Sequence, residues 1–291
     1  MQEFKVGKLA VGMRADFFVA GKYPQFARSA LKTLFERQNV HINEKIAKPG
    51  YKLRYGDKIS VDSGVLLARP KVIDLPVVYE DEAVVVINKP TGILTHSKGS
   101  LNLEPTVASF IESKLKNRKM IGSRAGIVHR LDRNTSGLII GAKTSTALKF
   151  LQRRFSTRRV KKTYLAIVEG RPDPEAAVID APIGRNLRRP QTFRVTPTGR
   201  PAQTEYRVLH TFSKGGQVFS ILELKPVTGR THQLRIHLAY IGHPIVGDAV
   251  YGHGGAAMLL HAEKLDLTLP NGDHRIFSVP PPDSFKDFQQ Q

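Results

Sequence analysis

The chain has 291 residues, enough for one large domain or for two, and its 41% hydrophobic content suits a soluble protein with a sizeable core. The absence of cysteine excludes disulfides and thiolate metal sites. The longest apolar runs, such as Ala83–Ile87, are far too short for a membrane span, and no basic-then-apolar leader opens the chain, so cytoplasm is the expected address. A net charge of +20 points to a polyanionic partner. Nucleic acid is favoured over an acidic membrane, because no stretch joins a long basic face to an aromatic-rich apolar one.

Residues 1–13 read as a short strand or extended lead-in. Asp16 is an expected N-cap for a brief helix, and Pro24 opens a second helix carrying Ala27, Ala30, Leu31, Leu34 and Phe35 at helical spacing. Its other face offers Arg28, Lys32 and Arg37. Strands are expected at Val40–Ile42 and around Ile59–Val61, with a turn at Asn43–Lys45. This αα-ββ unit resembles the alpha-L RNA-binding motif, a module of ribosomal proteins, over residues 14–61. The matching residues are Arg14 and Asp16, Arg28-Ser29 with Leu31, Val40 with Asn43, Leu53, and Gly56-Asp57. Ala15 departs from the leucine usual in that motif.

Residues 63–75, broken by Gly64 and Pro70, read as a linker. Val77–Tyr79 and Ala83–Ile87 then form an expected antiparallel hairpin that opens a second domain. A helix is expected through Val107, Phe110, Ile111 and Leu115, ending in the basic residues Lys114, Lys116, Arg118 and Lys119. Leu138–Ala142 reads as a strand, and Thr144 as the cap of a helix through Ala147, Leu148 and Leu151. Residues 152–162 are the most basic segment, with Arg153, Arg154, Arg158 and Arg159, and lead into a strand at Thr163–Val168. A solvated face and a phosphate-tracking face are equally good readings of that run.

Residues 171–201, rich in Pro, Gly and Arg, read as loops or a hairpin at the rim of a site. Strands at about 203–210 and 217–224 pair across the Gly215-Gly216 turn. Thr231 is the expected N-cap of a helix striped by Leu234, Leu238 and Ile241. Arg235 lies beside that stripe, so a partly buried head needs an anionic partner. No Asp or Glu lies between Glu223 and Asp248, which directs attention to Asp132. A short strand region closes the chain.

Asp132 sits in the polar nonamer His129-Arg-Leu-Asp-Arg-Asn-Thr-Ser-Gly137, between Arg130 and Arg133. Taken alone, this is a loop whose aspartate accepts backbone hydrogen bonds and whose Thr135-Ser136-Gly137 makes a turn. His129, His232 and His237 have no context resembling a metal-ligand set, and His232 and His237 fall on different helix faces. Ser136 lacks a nucleophile elbow, and neither a Walker loop nor a dinucleotide fingerprint is present.

The nonamer resembles the catalytic motif of the RluA-type pseudouridine synthases. Asn88-Lys-Pro-Thr-Gly92 with His96, Lys162-Thr-Tyr-Leu-Ala166, Gly229–Ala239 and His243–Asp248 agree with that family in order and spacing. The resemblance implies an α+β chain: a pseudouridine synthase fold, with a mixed, largely antiparallel sheet flanked by helices and loops, at 76–291. A small α/β alpha-L RNA-binding domain at 1–62 precedes it. It implies Asp132 as the catalytic carboxylate on a flipped-out uridine, Arg235 as its ion-pair partner with Arg230 next, and Tyr164 against the uracil ring. Arg130 and Arg133 are expected to hold the loop and phosphates, and Leu260 to pack beside the pocket. Arg28, Lys32, Arg153, Arg154, Arg158 and Arg159 are further RNA-contact candidates. Expected partners are RNA, ribosomal before transfer RNA, with no cofactor, metal, membrane or obligate protein partner, and a monomer. The alternative from another class is a non-catalytic RNA-binding or ribosome-assembly protein.

Overall fold

The computed structural model describes residues 1–26, 28–67, 73–97, 104–115, 120, 124–255 and 257–290. The expected helix residue Ala27, the linker's Pro70, and Lys116, Arg118 and Lys119 lie outside them. Two compact units divide the chain: Met1–Val72 with Ser97–Thr106, and Ile73–His96 with Val107–Gln291.

In the first unit, strands β1 (Gln2–Lys5), β2 (Val40–Ile42), β3 (Lys45–Ile46) and β4 (Lys58–Val61) form an antiparallel sheet in the order β1-β4-β2-β3. Helices α1 (Ala15–Lys22) and α2 (Arg28–Glu36) bury Phe18, Val19, Leu31, Leu34 and Phe35 in the same core as Val40, Ile42 and Ile59. The β2–β3 turn uses Asn43 and Glu44 at φ 48° and 68°, the left-handed pair that matches strand twist. The expected cap is corrected. Arg14 is the N-cap of α1, and Asp16 lies inside it, bound by the Arg14 guanidinium at 2.9 and 3.0 Å.

The expected linker is not structureless throughout. Gly64–Leu67 is a helical turn, α3, whose Leu66 joins the first core, whereas Leu75 is buried in the second. Apolar side chains within the stretch explain this, since each lowers its exposure by docking on one unit.

The second unit is built on a nine-stranded sheet. Its strands are β5 (Val77–Glu80), β6 (Val84–Lys89), β7 (Ser136–Ala142), β8 (Lys161–Glu169), β9 (Ala176–Asp180), β12 (Gln203–Lys214), β13 (Gln217–Pro226), β14 (Leu260–Thr268) and β15 (His274–Ser278). The order is β5-β6-β7-β14-β8-β13-β12-β9, with β15 also on β14; β10 (Ile183–Arg185) and β11 (Phe193–Val195) make a separate hairpin. Among the described residues, only β7 and β14 pair in parallel. Alternation along β6 sends Val85 and Ile87 to the core on one face, and Val84 and Val86 to that on the other. Every residue of β7 is buried, as its continuous apolar run requires of a strand covered on both faces.

Helices α4 (Val107–Ser113), α5 (Ser145–Ser156), α6 (Gln233–Tyr240) and α7 (Ser284–Gln290) flank this sheet. Thr144 caps α5 as expected, its Oγ1 accepting the Ala147 N–H at 3.2 Å. The expected short C-terminal strand is β15, five residues long; ahead of it the apolar run at Met258–Ala262 leads into β14, which spans nine residues and lies between β7 and β8 at the middle of the sheet.

Candidate active site

The nonamer leaves the core at His129 and returns to it at β7. Its turn lies at Arg133-Asn134, closed by the Thr135 N–H on the Asp132 carbonyl at 3.2 Å, so Ser136-Gly137 is already strand rather than turn. Three fastenings hold the loop. His129 Nε2 accepts the Ile140 N–H at 3.0 Å, and burial, then Lys162, pushes that imidazole down to about 3, which keeps it a neutral acceptor. Thr95 Oγ1 donates to the Leu131 carbonyl at 2.7 Å and accepts the Leu131 N–H at 3.1 Å. Lys89, 0% exposed, donates to the carbonyls of Pro90, Ile93 and Arg133 at 2.8, 3.0 and 3.1 Å. Burial lowers the Lys89 pKa to about 8, although Asp132 pulls it upward.

Gly137 lets the loop join the sheet. Its φ is 107°, and a Cβ there would lie 2.3 and 2.6 Å from the backbone of Ala262 on β14. Only glycine permits that approach. The neighbouring buried Ser136 Oγ meets His261 Nδ1 at 2.9 Å.

Asp132 lines a cavity of about 530 Å³ shared with Tyr164, Lys162, Leu260, Arg130, Arg158, Arg230, His232 and Arg235. Lys162 and Tyr164 are two apart on β8, so strand geometry turns both to this wall. Burial, then Asp132, raises the Tyr164 pKa and keeps its phenol neutral. Burial lowers that of Lys162.

The anionic partner of Arg235 is double. Its Nε and Nη2 donate to Asp248 at 2.7 Å each, and its Nη1 donates to Asp132 Oδ2 at 3.2 Å. Asp248, 1% exposed, also accepts the N–H groups of Val250 and Tyr251 at 2.9 and 3.1 Å. Burial works to raise its pKa, but Arg235 and those N–H groups hold it below the ordinary value. The Asp132 pairing therefore exists, yet the stronger anchor is a residue just beyond the carboxylate-free interval. His237, buried on α6, bonds Thr204 and the Ala181 carbonyl and stays away from the cavity. Thr231 is not the cap of α6. That place belongs to His232, at a left-handed φ of 56°, whose Nε2 stands 3.8 Å from Asp132 Oδ1.

The other candidates divide. Arg130, Arg158, Arg230 and Leu260 reach the cavity wall. Arg133 instead ties the loop, its Nη1 donating to the Gly92 carbonyl at 3.2 Å. Arg153, Arg154 and Arg159 are not on the wall; Arg154 packs 5.3 Å over the Phe150 ring. In the first unit, Arg28 lies 4.5 Å over the exposed Phe17 ring and shares with Lys32 a cavity of about 240 Å³. Asp248, Lys89, His232 and Tyr251 carry geometry that sequence reasoning did not assign; only the motif membership of Lys89, His232 and Asp248 hinted at it. No group of three or more His, Asp or Glu able to hold a metal occurs among the described residues.

A sequence profile of RNA pseudouridylate synthases matches residues 83–240. The chain is 35% identical to an uncharacterized RNA pseudouridine synthase of Aquifex aeolicus, over 94% of this chain and 92% of that protein. It is 36% identical to ribosomal large subunit pseudouridine synthase D of Borreliella burgdorferi, over 95% of this chain and 88% of the relative. Among solved structures, human RNA pseudouridylate synthase domain containing 1 aligns with a TM-score of 0.60 at 29% identity, covering 74% of this chain and 86% of that one. With a mixed, largely antiparallel sheet that holds the nonamer beside the tyrosine and arginine motifs, the chain belongs to the RNA pseudouridylate synthase family.

Proposed function

We propose that this enzyme isomerises uridines of large-subunit ribosomal RNA, with Asp132 as the catalytic carboxylate. The observation that carries the reading is Asp132 and Arg235 paired on a cavity wall, with Asp248 buried behind the arginine and no competing carboxylate among the lining residues. The reaction breaks the bond from uracil N1 to ribose C1′ and forms one from C5 to C1′. The C5 proton is lost, N1 gains one, and the product is an isomer of the substrate. Nothing in that balance needs a cofactor, and the reading takes the protein as a cytoplasmic monomer.

A cavity of about 530 Å³ falls in the range of small-molecule sites, roughly 300–1,000 Å³. The target uridine must leave its stack to enter, at a cost of about a few kcal/mol that phosphate contacts offset. Tyr164 and Leu260 offer the apolar wall for the base, while Arg130, Arg158 and Arg230 offer cations for the adjoining phosphates. Relatives named for the ribosomal large subunit support that substrate over transfer RNA. Residues 1–62 are read as the RNA-binding module, with Arg28, Phe17 and Lys32 on its contact face.

The test is to map pseudouridines in total RNA with and without the gene, then restore it as wild type or as Asp132→Asn. Sites that vanish from large-subunit RNA and return only with wild type support the reading. Sites lost from transfer RNA alone would overturn the substrate, and restoration by Asp132→Asn would overturn the catalytic assignment.

A further inference from the structure

We propose that Tyr251 and His232 form a positioning pair that fixes Asp132 and leaves Oδ1 as its reacting oxygen; the proposal rests on Asp132 being the catalytic carboxylate. His232 holds a left-handed backbone, φ 56° and ψ 20°, and makes no capping hydrogen bond with its side chain. For a residue with a Cβ this conformation costs on the order of 1 kcal/mol or more. The His232 carbonyl accepts the Ile236 N–H at 3.0 Å as an N-cap does, but the left-handed turn adds no side-chain cap to helix α6. What it does is bring the ring to the cavity, with Nε2 3.8 Å from Asp132 Oδ1.

The hydrogen bonds around the ring fix where its proton sits. His232 Nδ1 lies 2.9 Å from the Tyr251 hydroxyl, and the Phe193 N–H donates to that same hydroxyl oxygen at 3.2 Å. A phenol has one proton. Among the described residues, the acceptor available to it is Nδ1, so Tyr251 donates and Nδ1 accepts. The proton of the neutral imidazole is then on Nε2, directed at the carboxylate. The opposite tautomer would set a lone pair against Oδ1. The neutral form fits the surroundings. Burial lowers the His232 pKa, with Asp132 and Asp248 acting to raise it and Arg235 and Arg130 to lower it further.

The two oxygens of Asp132 are thereby made different. Oδ2 accepts from Arg235 at 3.2 Å, while Oδ1 accepts no hydrogen bond among the described residues, since 3.8 Å exceeds hydrogen-bond reach. His232 thus presents a dipole that orients Oδ1 without occupying its lone pairs. The same Tyr251 ring packs 5.0 Å from the Arg235 guanidinium, and Phe193 and Tyr251 meet the imidazole edge-on at 6.3 and 5.6 Å. One tyrosine therefore braces both groups that face Asp132.

The experiment uses the full-length enzyme. Histidine ¹⁵N NMR, with the His232 signals assigned by their loss in His232→Gln, reads the tautomer. Single-turnover kinetics and RNA binding are measured for His232→Asn, His232→Gln and Tyr251→Phe. We expect the Nε2–H tautomer in wild type and a mixture in Tyr251→Phe. His232→Asn, which tolerates the left-handed backbone but cannot reach Oδ1, should slow turnover about 10- to 100-fold with RNA affinity held. His232→Gln, whose amide N–H reaches near the Nε2 position, should recover most of that loss. An Nδ1–H tautomer in wild type, or wild-type turnover in His232→Asn, overturns the proposal. If His232→Asn does not fold, the tautomers of wild type and Tyr251→Phe decide. An active Asp132→Asn enzyme would overturn the functional reading itself, whereas an inactive one beside an undiminished His232→Asn overturns only the positioning pair.

Discussion

Arg235 gives the buried Asp248 two hydrogen bonds of 2.7 Å and the cavity-facing Asp132 a single one of 3.2 Å. The guanidinium is thus anchored by the carboxylate that is buried and lent to the one that faces the cavity. Its planar fork can serve both at once, which an ammonium cannot. Asp248→Asn should cost about 3 kcal/mol of stability, because it leaves a buried charge half-compensated. It should also slow turnover by roughly tenfold or more as the unanchored Arg235 shifts on Asp132. Urea unfolding and single-turnover kinetics on the same variant check both; wild-type values in either would contradict the anchoring role.

Arg235→Lys keeps the charge and loses the fork. Turnover should fall by about 100-fold, since one ammonium cannot hold Asp248 and orient Asp132 together. RNA affinity should change little, because the residue is buried and paired within the protein. Filter binding beside kinetics distinguishes this from loss of a phosphate contact.

His129 sets an acid limit to stability. Its pKa is about 3 in the fold against about 6.5 unfolded, so the unfolded chain binds the extra proton between those values. Its contribution is complete above about pH 6.5 and is lost as pH falls toward 3. His129→Gln, which keeps an acceptor for the Ile140 N–H but does not titrate, should flatten this limb by up to about 1.4 kcal/mol per pH unit. Denaturant unfolding at pH 7, 6 and 5 would show it; an unchanged slope would rule His129 out as the source.

Gly137→Ala should be among the most damaging single-methyl changes in the second unit. The Cβ has no room against the Ala262 backbone, and the positive φ adds to the penalty. A loss above about 3 kcal/mol, or failure to accumulate folded protein, is expected. Near-native melting of the variant would show that β7 and β14 can separate at this point.

Arg158 faces the cavity, whereas Arg153 and Arg159 do not. Arg158→Ala should lower the dependence of RNA affinity on salt by about one ion, and Arg159→Ala by less. Equal slopes for the two variants would mean that cavity position does not decide phosphate contact.

Local chemistry made much of this chain legible. Two runs of consecutive β-branched residues located the β5–β6 hairpin, Thr144 announced helix α5, and the nonamer's likeness to a known motif singled out Asp132 from an ordinary loop aspartate. Those signals act within a few residues, through strand propensity, an orphan N–H at a helix start, or a fixed run of side chains. Three features escaped them. The place of strand β14 in the sheet, between β7 and β8, follows only from its pairing with strands far away in the chain. Thr231 has the side chain of a cap, but the helix starts one residue later, with His232 at the N-cap and its ring against Tyr251. The absence of nearby carboxylates turned attention from Arg235 to Asp132, 103 residues away, yet its stronger partner was Asp248, 13 residues on. The sequence by itself determined that a buried arginine here must have an anion. Which carboxylate holds it most closely and which faces the cavity was decided by tertiary structure, because that allocation depends on how strands and loops distant in the chain meet around one guanidinium.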